Sequence, residues 1–392
     1  MSKIEDLINE LCPNGVSFYQ LGDIATFSQG IQVPVEEQQY IKEEGTIRFL
    51  RIIDYNNDGE PPRYIKKPDD KYIKKEKDLI MIRYGTPGKV CIDYEGAIAN
   101  NMFKINFQMK DVNTKYMYYY LSQSHIYNSL STSVKSTMPS INFGIVSKLK
   151  VAVPPLEVQN EIVRILDSFN LFSAELLEEL KARQIQYEHY RNEFYNSISN
   201  FEEYLLGDIV EFINGKAYKQ EELLENGKYK VLRVGNFCTN DRWYYSNLEL
   251  DEDKYCNNGD LLYLWSATFG PQIWHEEKTI FHYHIWKLKF DETRIDKMFL
   301  YYFLDYDKDN LKSLTTNSTM PHISMTNMKT RTIKIPPMYI QKSIVEKLNT
   351  FYELANNRLT GLPAEIEARQ KQYEYYRDKL LTFKELEVNE VQ

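Results

Sequence analysis

The chain has 392 residues, enough for two or three domains, and its 48 Lys and Arg against 56 Asp and Glu leave a net charge of −8, which taken alone argues against a nucleic-acid binder. No apolar run approaches the ~20 residues of a membrane span, and residues 1–20 lack the apolar core of a signal peptide. Cys12, Cys91, Cys238 and Cys256 form no C-x-x-C pair, which predicts reduced thiols in a cytoplasmic protein rather than a disulfide framework or a zinc site.

Residues 1–11 read as an amphipathic helix with Ile4, Leu7, Ile8 and Leu11 on one face, stopped by the turn residues Cys12-Pro13-Asn14-Gly15. Leu21-Gly22-Asp23-Ile24 follows and recurs as Leu206-Gly207-Asp208-Ile209. The recurrence opens a larger repeat. Phe49-Leu50-Arg51 aligns with Val231-Leu232-Arg233, Lys77 to Ile80 with Gly259 to Leu262, Gly88 with Gly270, Ile98 with Ile280, and Ser136 to Pro139 with Ser318 to Pro321. Nearly the whole chain is one unit written twice, with a period near 185 residues, which suggests a pseudo-two-fold protein mimicking a homodimer. Residues 41–90 are mildly basic, with twelve Lys/Arg against nine Asp/Glu.

Each unit begins with short strand-like runs, at 47–53, 79–83, 90–94 and 102–107, then at 230–234, 260–264 and 284–290, separated by Gly, Pro and Asn turns. A helix follows (115–124; 296–305), then a Ser/Thr loop, then a strand running into Pro-Pro. A long helix closes each unit. In residues 154–194, Ile162, Leu166, Phe169, Leu176, Leu180, Tyr187, Tyr190 and Phe194 keep a 4-3-4-3 spacing, interrupted by Ser173 and Arg183. Such a narrow stripe is a coiled-coil seam, and the partner expected for each helix is the other. The second copy, residues 336–380, carries four extra residues, because the pair offset grows from 182 to 186 across it. The seam steps four at Leu359, and Gly361 and Pro363 predict a kink or break. Four helical residues are ~6 Å of rod. The expected fold class is α+β: two β-rich globules (21–153 and 201–335), each followed by a rod (154–200 and 336–392), after an N-terminal helical segment (1–20).

Catalytic machinery is missing from the sequence. There is no G-x-x-x-x-G-K-[ST], no strand-linked G-x-G-x-x-G and no G-x-S-x-G. His282-Tyr283-His284 would place two imidazoles on one strand face, but no third metal ligand is evident. Val153-Pro154-Pro155 and Ile335-Pro336-Pro337 lack the Asn or Asp that an amino-methyltransferase loop needs before its prolines, so Pro-Pro is read as the start of a helix. What remains is recognition. Polar and aromatic turn residues recur at matched places and suit phosphates and base edges. The candidates in the first globule are Arg51, Arg83, Tyr84, Thr86, Lys89, Asn100, Asn101, Lys135 and Ser136. In the second they are Arg233, Asn236, Trp265, Ser266, Thr268, His282, His284, Asn317 and Ser318.

Several of these stretches carry a family resemblance: Glu10 to Val16, both Leu-Gly-Asp-Ile copies, both Ser-Thr-Met-Pro loops, both P-P-x-x-x-Q starts, and above all Glu367 to Arg377 (EARQKQYEYYR) with its partner Ala182 to Arg191. On them the sequence resembles the DNA-specificity subunit of type I restriction-modification systems over essentially its whole length. The resemblance implies two target-recognition domains, each reading one half of a bipartite asymmetric site in double-stranded DNA, separated by two long antiparallel coiled-coil helices. It implies no catalysis in this chain. Two methyltransferase subunits would methylate adenine with S-adenosylmethionine, and two restriction subunits would use ATP and Mg. Arg83, Tyr84, Trp265 and Ser266 would face DNA. Tyr187, Tyr190, Arg191, Tyr373, Tyr376 and Arg377 are candidate docking residues for the methyltransferase subunits. The alternatives are the equivalent subunit of a methyltransferase-only or type II-like complex, or a coiled-coil scaffold that does not bind DNA.

Overall fold

The structure, a computed structural model, describes residues 3–56, 59–132, 140–238, 242–266, 268–312, 322–357 and 360–386. The chain folds as two units, one of residues 1–175 with 366–392 and one of residues 176–365. Each unit contains the same three sheets in the same strand order.

In the first unit one four-stranded sheet runs Ala25–Gln29, Met102–Phe107, Asp78–Ile82, Val90–Cys91, all antiparallel. The other runs Arg63–Lys66, Thr46–Leu50, Gly96–Ile98, Ile73–Lys74, with a parallel pair at its centre. Asp78–Ile82 shows why the sequence is apolar without alternation. Leu79 and Met81 enter a core shared with the helices, whereas Ile80 and Ile82 enter a second core with Phe49, Leu50 and Ile98. Side chains alternate across a pleat, so a strand covered on both faces reads as a continuous apolar run. The second unit repeats this in Leu261–Ser266: Leu261 and Tyr263 point one way, Leu262 and Leu264 the other. A two-stranded ladder, Ser17–Gln20 with Lys150–Val153 or Glu202–Leu205 with Thr332–Ile335, leads to the helix start in each unit. In the first unit residues near the C-terminus extend it: Val16 N donates to Lys384 O at 2.9 Å, and Leu386 N donates to Val16 O at 2.8 Å.

The P-P-x-x-x-Q motif has a physical reason. Gln159 is fully buried. Its Oε1 accepts from Asn113 N, and its Nε2 donates to the carbonyls of Asp111 and Pro154, at 2.7–2.8 Å. Gln341 repeats the clamp on Asp296 N and the carbonyls of Arg294 and Pro336. One amide thus ties the start of each rod to the turn before the domain helix, Thr114–Leu121 or Lys297–Lys312.

The first rod is a single helix, Leu156–Asn196. The second is two helices, Met338–Asn356 and Leu362–Leu380. Gly361 makes the break compact, since a Cβ there would lie 2.4 Å from Glu353 O and 2.7 Å from Asn357 O. Leu359 lies outside the described residues. Within the first unit Phe169 stacks on Tyr376 at 5.7 Å, and within the second Tyr190 stacks on Phe351 at 4.8 Å. These are the same two repeat positions with roles exchanged, and, with Arg369 over the Phe172 ring in the first unit and Lys347 over the Phe194 ring in the second, both helix pairs run antiparallel. Ser173 and Arg183, expected to interrupt the seam, are half-buried on its line.

Two expectations are corrected. Ile98 corresponds to Phe281, not Ile280, because Leu50 pairs with Ile98 where Leu232 pairs with Phe281. The second unit therefore carries one extra residue before this strand. His284 is not the start of a strand: Tyr283 and His284 form a turn, and the strand is Ile285–Phe290.

Candidate nucleic-acid interface

The same edge is built twice. In the first unit Asp78–Ile82 ends at Arg83, which meets the turn before Met102–Phe107: Arg83 N donates to Asn101 O at 2.9 Å. In the second, Leu261–Ser266 reaches Trp265, whose N donates to His284 O at 3.3 Å. The foot of each Ser/Thr loop closes on the same residue, because Ile141 N donates to Arg83 O and Ile323 N to Trp265 O, at 3.2 and 3.1 Å. A glycine presses a third segment onto the turn. A Cβ on Gly30 would lie 2.2 Å from Ala99 O, and one on Gly215 would lie 2.2 Å from Phe281 O. Only a residue without a side chain permits that approach.

The two edges present different chemistry. The first is amide-rich. Asn100 Nδ2 donates to Gln32 Oε1, and Gln29 Nε2 donates to Asn100 O, both at 3.2 Å. Arg83 braces the edge, with Nε on Ile141 O at 3.3 Å and Nη1 on Asn100 O at 3.5 Å. Tyr84 is exposed beside it. The Thr86 hydroxyl and Asn101 Oδ1 are buried with no protein partner. The second edge is aromatic. Trp265 stacks on Trp286 at 5.6 Å and lies 5.1 and 5.5 Å from His284 and His322. Its indole N–H donates to Tyr283 O at 2.8 Å. Ser266 Oγ is buried without a protein partner, and Thr268 is exposed across the hairpin. Burial pushes the His282 imidazole down to about 4, helped by His284 and Arg233 nearby. His284 is lowered by burial and by His322. Both rings are therefore neutral at physiological pH, each with a donor and an acceptor nitrogen. Among the described residues no group of three His, Cys, Asp or Glu is placed to hold a metal ion.

Other candidates are engaged within their own unit. Arg51 is held by Asp54 at 3.2 Å and Glu60 at 2.8 Å. Lys89 Nζ donates to Tyr55 O and Asn56 Oδ1 at 3.1 and 3.0 Å. Arg233 lies over the Tyr244 ring at 4.3 Å, and Asn236 Oδ1 accepts from Arg233 N at 3.0 Å. Lys135, Ser136, Asn317 and Ser318 lie outside the described residues. The docking candidates are also partly spent. Tyr187, Arg191 and Arg377 are buried, and Arg191 Nη1 contacts Asp305 Oδ2 at 2.5 Å. Tyr376 stays more exposed, as do its neighbour Tyr375 and, on the long helix, Leu171 and Phe172. Sequence reasoning missed Gln29, Gln32, Tyr283 and His322. The glycine of Gln29-Gly30-Ile31 was the available signal for the first two.

The comparisons find the same duplication. Residues 13–183 and 198–368 each match the family described as the type I restriction modification DNA specificity domain. A putative type I restriction enzyme specificity subunit of Haemophilus influenzae is 30% identical over 300 residues, 73% of this chain and 76% of its own. The EcoR124I/EcoR124II specificity subunit of Escherichia coli is 25% identical, with 98% and 97% covered. A crystal structure of the S subunit of a type I restriction-modification system from M. genitalium has the same fold, with a TM-score of 0.54 at 16% identity over 93% of this chain and 96% of its own. The chain belongs to the type I restriction-modification DNA specificity family and carries two copies of its specificity domain.

Proposed function

We propose that each unit reads one half of a bipartite, asymmetric DNA site through its paired edge. The first uses Arg83, Tyr84, Asn100 and Asn101 with Gln29 and Gln32. The second uses Trp265, Tyr283 and His284. The observation that carries the reading is the recurrence of one backbone edge with different side chains. A shared scaffold holds the reading residues, and their unlike chemistry makes the two half-sites differ. Amide side chains suit adenine edges in the major groove, and aromatic and apolar groups suit thymine methyls and stacked bases. The chain itself performs no covalent step. It directs two modification subunits, which take S-adenosylmethionine and methylate adenine, and two restriction subunits that use ATP and Mg. The exposed Leu171, Phe172, Tyr375 and Tyr376 on the helices of the first unit supply apolar contact for a modification subunit.

Genome-wide mapping of methylated adenines with and without this gene tests the reading. A split motif that vanishes with the gene is expected. An unchanged methylation pattern in cells that make the modification subunits contradicts it.

A further inference from the structure

One cleft is charged in only one of the two units. In the first unit a cleft of about 1230 Å³ is lined by residues of both four-stranded sheets and includes Asp78, at the end of Asp78–Ile82 away from Arg83. Eight Lys and Arg line it against four Asp and Glu. Lys74 is the built part. It is 1% exposed, and its Nζ donates to Lys75 O at 3.3 Å, although an ammonium has three N–H groups to place. Burial lowers its pKa against the pull of Asp78 and Glu95. Lys42, Lys67 and Lys77 are exposed on the rim and have no ion-pair partner among the described residues.

The fold does not require this charge. Lys74, Lys75 and Lys77 are matched in the second unit by Cys256, Asn257 and Gly259. Arg48, Lys71, Lys75 and Lys104 of the cleft are ion-paired at 3.3–3.9 Å, so its excess charge rests on Lys42, Lys67, Lys74 and Lys77, whereas in the second unit the lysines on the matching surface are paired. Lys228 pairs with Glu249, Lys230 with Glu276 at 3.0 Å and Lys278 with Glu252 at 2.7 Å. A buried lysine without a carboxylate contact is costly, so its presence in one copy alone points to a ligand.

We propose that this cleft holds the phosphodiester backbone of the DNA flanking the half-site read by the first unit. The proposal rests on the DNA-recognition reading above. A strand fits better than a small anion because the cations are strung along three segments, 42–48, 67–77 and Lys104, rather than gathered round one point. The chain also has no glycine-rich phosphate loop. The five residues Asp78–Ile82 set the cleft roughly 16 Å from Arg83, about half of the ~34 Å of a duplex turn. The cleft thus lies within about half a duplex turn of the reading edge. The contact carries no base information, so it strengthens the hold of one unit without changing the sequence read.

The test uses the chain assembled with its modification subunits. DNA affinity is measured against salt for the wild type and for the triple variant Lys42→Gln, Lys67→Gln, Lys77→Gln, which changes exposed residues only. Each phosphate left without its lysine should flatten the slope of log K against log salt by about 0.9. The triple variant is expected to flatten it by about 2 to 3 and to methylate an unchanged motif. Lys74→Met is expected to flatten it as well, and Lys228→Gln, Lys230→Gln, Lys278→Gln in the second unit to change it less. A triple variant that binds with the wild-type slope overturns the proposal. So does tripolyphosphate binding that the triple variant abolishes while the DNA slope stays the same, since the cleft would then serve a small anion. If the wild-type complex itself fails to bind a specific duplex, the DNA-recognition reading falls instead, which separates the two failures.

Discussion

Arg191 and Arg377 occupy the same repeat position but hold their units with different strength. Arg191 meets the carboxylate of Asp305, which also receives Lys308 at 2.6 Å and the Tyr187 hydroxyl at 2.9 Å. Burial alone would raise the Asp305 pKa, but Lys308 and Arg191 outweigh it and hold the carboxyl below its ordinary range. Arg377 instead donates to the Ser124 hydroxyl at 3.2 Å and pairs with half-exposed Asp378. Removing one partner of a buried pair strands the other charge. Arg191→Met should therefore cost about 3 kcal/mol in urea unfolding, and Arg377→Met only about 1 kcal/mol. His282 gives a pH signature. Its pKa is about 4 in the fold against an ordinary 6.5, so between those values the unfolded chain binds the extra proton. Stability should thus fall as pH drops from 6.5 towards 4, by at most about 1.4 kcal/mol per pH unit. Thermal melts across that window should show the slope, and His282→Gln should flatten it. The place of the edge was legible in the sequence because its strands and loop feet recur in both units, at Arg83 and Trp265. Which cations face outward was not, since Arg51 and Arg191 look free until Glu60, nine residues on, and Asp305, 114 residues on, fold against them.

At the scale of elements, repetition made the sequence readable. The strands Asp78–Ile82 and Leu261–Ser266, expected at 79–83 and 260–264, and both Pro-Pro helix starts were expected from local pattern, because burial on both faces and proline geometry leave local marks. The extra residue before Thr279–Phe281 was missed, as sequence identity there is too low to fix a strand register that backbone pairing decides. The break between Asn356 and Leu362 was announced by Gly361 and Pro363, but how closely the two segments pack there depends on carbonyls that only the fold brings together. The glutamine clamps offer the sharpest element-scale prediction. Gln159→Leu or Gln341→Leu leaves one N–H and two carbonyls unpaired in a buried site, and each such group costs about 1–3 kcal/mol. Either variant should lower stability by about 3 kcal/mol or more. Hydrogen exchange should quicken at Asn113 in the first case and at Asp296 in the second, each without effect on the other unit.

For the chain taken whole, composition misled where repetition informed. A net charge of −8 argued against DNA, yet the cleft of the first unit is basic, and the mean hides it. The duplication states the functional logic more directly, since one scaffold written twice, with different side chains at the edge proposed to read DNA, suits an asymmetric target. The measurement that bears most directly on this is single-molecule methylation mapping of complexes carrying Asn100→Ala or Tyr283→Ala. These are structurally equivalent residues, as the pairing of Ile98 and Phe281 fixes the register. Loss of a base contact is worth about 1–3 kcal/mol of discrimination. Each variant should relax one position in one half of the methylated motif, a different half for each, with the other half and the spacer intact. Two folded, assembled variants that both relax the same half, or that leave both halves unchanged, would contradict it.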